Sequence, residues 1–213
     1  MRRDTFARTL RALGLAAAVA LPFAACTQAQ TTGKSPAFLI IESLTAATGA
    51  EPDEEDGVLA SDVVTMIKTQ VDGQEVLVPT IYEDIGKVTF RLALKDPGST
   101  ETPNEPSSTN FITVNRYRVQ YIRADGRNTP GVDVPYPFDG AITATVAGSG
   151  TKASFTLVRI QAKVENPLVV IRNIAGTIST IAEVTFYGVD QAGNAVSVIG
   201  RIGVDFSNWG DPQ

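Results

Sequence analysis

Two carboxylates and two aromatic rings fall within a short stretch, PGVDVPYPFDG, Pro130 to Gly140. Asp133 and Asp139 can accept hydrogen bonds from hydroxyl groups, and Tyr136 and Phe138 offer faces to a sugar ring or a small apolar molecule. The four residues therefore form a candidate ligand-binding loop. Pro135 and Pro137 keep that backbone extended and stiff. The same residues also fit a plainer role, in which Tyr136 and Phe138 cap an open end of the fold.

Other chemistry is harder to assemble. Glu51, Asp53, Glu54, Glu55 and Asp56 offer the hard oxygen ligands that calcium takes, but they lack the D-x-D-x-D-G spacing of a calcium loop. A solvated acidic loop is expected there and no metal site. Arg116, Tyr117, Arg118, Tyr121, Arg123 and Arg127 interleave cations with rings, a pattern that can bind single-stranded nucleic acid. On a strand, however, the arginines and tyrosines fall mostly on opposite faces. Histidine is absent from all 213 residues, so the commonest general base and metal ligand is missing. No G-x-S-x-G elbow occurs, and no carboxylate pair is marked out by spacing. A non-enzymatic chain without a cofactor is expected.

The one cysteine, Cys26, lies in LPFAACTQAQTTGKSP, between an apolar run and a polar one. Arg2, Arg3, Arg8 and Arg11 precede the apolar segment Leu13 to Phe23, which ends at Ala24 and Ala25. These are the charged, apolar and small-residue parts of an export signal, too short to span a hydrocarbon core. A lone cysteine directly after two alanines resembles the lipobox of bacterial lipoproteins, with Phe23 standing where that family usually has leucine. The resemblance implies cleavage before Cys26 and lipidation of Cys26, with anchoring to the inner or outer membrane of the cell envelope. It also accounts for an exported chain whose single cysteine has no disulfide partner.

Charge supports the same picture. Of 18 basic and 23 acidic residues, four arginines and Asp4 fall in the first 25, leaving 14 against 22 and a net charge of −8. An acidic surface excludes nucleic acid as a partner and gives no electrostatic hold on anionic headgroups, so membrane attachment must come from the lipid.

The elements that would carry these residues read as strands. Thr27 to Pro36 is polar and forms a tether. Phe38 to Leu44 is a short apolar strand. Val88, Phe90, Leu92 and Leu94 alternate with polar positions, as do Tyr117, Val119 and Tyr121, then Ile142, Ala144 and Val146. Asp96 to Asn110 is a long exposed loop. Gly148 to Gly150 is expected to join the Ile142 strand and a strand over Lys152 to Gln161 as a hairpin. Ile178 to Asp190 and Ala195 to Phe206 form another, with Val196, Val198, Ile202, Val204 and Phe206 on one face. Seven or eight such strands predict an all-β antiparallel sandwich.

The closing segment EVTFYGVDQAGNAVSVIG, Glu183 to Gly200, resembles the last hairpin of bacterial immunoglobulin-like domains, with Asp190, Gly193 and Asn194 as its turn residues. The expected organisation is a signal peptide over 1–25, a lipid-anchored tether over 26–36 and an Ig-like β-sandwich over 37–213. The expected function is a structural or protein-interaction module of the envelope. The alternative is a lipoprotein that binds a small molecule, glycan or calcium through the Asp133 to Asp139 loop.

Overall fold

The computed structural model describes residues 33–148 and 150–209. The expected export signal, Cys26 and residues 27–32 of the expected tether lie outside them. Alternation of apolar and polar side chains builds ten strands: β1 (Ala37–Ala47), β2 (Val58–Asp62), β3 (Thr65–Val71), β4 (Gln74–Thr80), β5 (Asp84–Leu94), β6 (Ile112–Ile122), β7 (Phe138–Val146), β8 (Thr151–Val158), β9 (Ile178–Asp190) and β10 (Ala195–Ser207). Two short helices, α1 (Ile160–Val164) and α2 (Leu168–Ile171), join β8 to β9.

Two sheets share the core. One holds β1, β5 and β8 in that order, the other β2, β10, β9, β6 and β7, while β3 and β4 pair only with each other. Inward side chains of both sheets interlock edge to face. Phe90 and Phe155 of the small sheet meet Phe186 of the large one at ring-centroid distances of 5.0 and 5.2 Å. Tyr117 meets Phe155 at 5.0 Å, and the Tyr121 hydroxyl donates to the Leu157 carbonyl at 2.7 Å, tying β6 to β8 across the core. Such aromatic pairs contribute about 0.5–1.5 kcal/mol each beyond their burial.

All pairs but one are antiparallel, as expected; β2 runs parallel to the end of β10, from Val58 beside Gly203 to Asp62 beside Ser207. The closing hairpin forms where its sequence places it. Asp190 Oδ1 accepts from the backbone N–H groups of Ala192 (2.9 Å) and Asn194 (2.8 Å), and Gly193 takes a φ of +83°. That is the conformation glycine adopts at no steric cost.

One connection differs from the expectation. The strands on either side of Gly148 to Gly150 do not pair. β7 bonds to β6 in the large sheet and β8 to β5 in the small one, so this turn carries the chain across the sandwich. β8 also stops at Val158, and Gln161 belongs to α1 instead of a strand.

The registers give the sandwich two ends. Ala37, Leu94, Ile112, Val146, Asp190 and Ala195 lie at the end where the described chain enters. Ala47, Ile85, Val158, Ile122, Phe138 and Phe206 lie at the far end. Residues 33–36 are held at the entry end: Ser35 is buried and its side chain bonds Asp190, Pro36 accepts from the Lys95 N–H at 2.9 Å, and Gly33 accepts from Lys95 Nζ at 2.6 Å.

Candidate functional site

The loop singled out by its carboxylates and rings connects β6 to β7 at the far end. Its four residues do not converge. Phe138 is buried as the first residue of β7, against the Tyr117 ring and beneath the Arg159 guanidinium, which stands 4.3 Å from its centroid. Asp139 points to the outer face of the large sheet, accepting from Arg116 Nη1 at 2.9 Å and Arg118 Nη1 at 2.7 Å. Asp133 closes its own loop by accepting from the Thr129 N–H at 3.1 Å. Tyr136 is half exposed and covers Gly131. One ring thus belongs to the core and the other to the surface.

What the far end presents is apolar. Val132 is 67% exposed at the tip of that loop, and Val170 of α2 is 51% exposed. They border a shallow concavity of about 370 Å³ floored by Pro167, Ile171 and Ile178. Ile174 just beyond α2 and the i, i+4 pair Ile160 and Val164 of α1 are also exposed. The root of the β3–β4 ribbon, at Val64 and Pro79, shares a second concavity with Arg172 and Asn173 just after α2, and every ribbon residue from Thr69 to Val76 is exposed.

An ion pair sits beneath this surface. α1 buries Lys163, whose ammonium lies 2.9 and 2.8 Å from the two carboxylate oxygens of Asp84 at the start of β5. The Ser61 hydroxyl donates to Asp84 at 2.6 Å and the Gly49 N–H at 3.2 Å. Burial pushes the Asp84 carboxyl above its ordinary range, against the opposing pull of Lys163, Ser61 and Gly49. The cluster joins β2, β5, α1 and the β1–β2 connection.

The entry end carries a groove of about 500 Å³. Gly33 to Leu39 form one side, and the starts of β10 and the ends of β9 the other, with Lys95, Asn115 and Arg116 at the rim. A bulge between Val114 and Arg116 creates the rim: the register shift turns both Asn115 and Arg116 outward before Tyr117 returns to the core. Arg116 then stacks on the Tyr187 ring at 3.9 Å. β2 covers the β10 edge only from Gly203 onward, leaving the edge beside this groove unpaired by β2. At the turn below it, burial pushes the Asp190 carboxyl up, but hydrogen bonds from Asn194, Ser35 and Ala192 outweigh that effect and hold it below the usual carboxylate range.

The acidic run is in part tied down. Glu55 accepts from the Thr45 hydroxyl at 2.7 Å and from Lys87 at 3.0 Å, contacts that hold its carboxyl low. Among the described residues no three carboxylates gather closely enough to hold a metal ion. No helix among them is long and apolar enough to cross a membrane.

Two features were missed by sequence reasoning, namely Lys163 with Asp84 and the entry-end groove. No family model matches this sequence, and neither curated proteins nor solved structures yield a match to it.

Proposed function

We propose that this chain is a lipid-anchored, non-enzymatic module of the bacterial cell envelope, an immunoglobulin-like sandwich that holds a protein partner at the end opposite its anchor. The observation that carries this reading is polarity along the strands. The described chain enters at one end, while exposed Val132 and Val170 border one concavity at the other, and the root of the ribbon, at Val64 and Pro79, shares a second with Arg172 and Asn173. Eleven-residue strands such as β5 and β6 separate the two ends by about 35 Å. A surface rimmed by polar groups and apolar at its centre is what protein partners recognise.

Support for the immunoglobulin-like class comes from strand order: the first strand lies in the small sheet and the last in the large one, with the β9–β10 hairpin beside β6. The lack of histidine throughout the chain favours binding over catalysis.

Two measurements made together test this. Cys26→Ser should move the protein from the detergent-soluble membrane fraction to the soluble fraction without changing its melting temperature. A photo-crosslinking residue at Val132 or Val170 should give one discrete adduct in cells, and at exposed Thr143 of β7 none. Retention of the Cys26→Ser chain in the membrane overturns the anchor, and equal adducts at all three positions overturn the far-end surface.

A further inference from the structure

The entry-end groove combines apolar walls with cations on an otherwise acidic chain. Phe38, Val189 and Val196 line it, and Tyr187 adds an aromatic face. Lys95 donates to a backbone carbonyl and stands 5.2 Å from the Phe38 ring, with no carboxylate at ion-pair distance among the described residues. Arg116 has one nitrogen on Asp139 and its plane on Tyr187; its other guanidinium N–H groups have no acceptor among the described residues. Both cations thus have donors to offer to a space of about 500 Å³ that both of them line, large enough for a small molecule. A ligand matching these walls needs an apolar body and one negative group. A neutral oily molecule would leave the cations unused, and a polyanion would be repelled by a chain of net charge −5.

We propose that this groove binds a small amphiphilic monoanion, an aliphatic or aromatic carboxylate, with its chain or ring along Phe38 and Val196 and its carboxylate at Lys95 and Arg116. The groove lies apart from the far-end surface, so this inference stands independently of the partner-binding role.

Calorimetric titration of the Cys26→Ser chain with decanoate and with decanol tests it. Decanoate should bind saturably at one site per chain, and decanol at least ten-fold more weakly. Lys95→Gln and Arg116→Gln should each weaken decanoate by about five-fold, the worth of one partly exposed ion pair. Arg118→Gln, which also releases Asp139 but does not line the groove, should bind as the parent does. An unchanged melting temperature in each variant shows that the fold is intact. Failure of decanoate to saturate, equal binding of decanol, or Lys95→Gln and Arg116→Gln variants with parental affinity would overturn the proposal.

Discussion

Lys163 and Asp84 are charged groups almost wholly removed from water, each with 1% of its side chain exposed. Burial of this kind costs several kcal/mol per ion, and the Coulombic attraction with the Ser61 and Gly49 hydrogen bonds offsets much of it. The pair therefore penalises loss of one partner far more than it stabilises the fold. Lys163→Met should leave the Asp84 carboxylate unpaired and cost about 3–5 kcal/mol in urea denaturation. Adding Asp84→Leu to that variant should recover most of the loss, because two apolar side chains no longer need to be solvated. If the double variant is as unstable as Lys163→Met alone, the pair contributes through shape and not through charge. Composition gave no hint of this residue, since lysine is almost never fully buried unless paired, and its partner is distant in the chain.

A strand is known by what it does with neighbouring residues. Val204 of β10 is fully buried, and Asp205 beside it is half-buried on the opposite face. Val204→Asp should cost several kcal/mol or abolish the cooperative transition, whereas Asp205→Val should stay within about 0.5 kcal/mol of the parent in thermal melts. Equal effects would mean that β10 does not present two different faces. This alternation is also why β5, β6, β9 and β10 were legible in the sequence: period 2 and the Asp190 to Asn194 turn chemistry are local. The β7 to β8 connection was not legible, because a glycine turn between two alternating runs looks the same whether the chain pairs back or crosses to the other sheet. Pairing is decided by distant partners, here Phe90 beside Thr151 and Ile112 beside Val146. The β3–β4 hairpin did carry a local signal. Asp72-Gly73, both at positive φ, form the kind of two-residue turn that matches strand twist, flanked by Ile67, Val71, Val76 and Val78. α1 and α2 together are too short for a helical period to emerge. In the Asp133 to Asp139 loop the residue types were legible, but the sheet phase that buries Phe138 and exposes Asp139 is set by pairing with Val119 and Arg118.

At the scale of the molecule, the sandwich is closed by its two sheets, and the ribbon stands outside that closure. Val63 and Val64 at its root are buried, and Met66 packs against the core, but the eight residues from Thr69 to Val76 are all exposed. A free two-stranded ribbon is only marginally stable alone, so its persistence depends on the body and not the reverse. Ile67 and Val78 face each other across it, four pairs from the Val71–Gln74 pair that the native Asp72-Gly73 turn closes, a hydrogen-bonded register at which a two-residue turn can close the strands. Replacing residues 68–77 by Asn-Gly should therefore leave the melting temperature within about 3 °C of the parent, a shift of about 1 kcal/mol for a domain of this size. A larger fall would show that the ribbon tip supports the core through contacts its exposure does not reveal. The same shortened chain separates architecture from recognition. If the ribbon is part of the far-end surface, the adduct formed from Val170 should weaken while the fold stays intact. Unchanged adduct yield would confine the recognition surface to α2 and the Val132 loop, because the deletion removes every exposed valine of the ribbon except Val78.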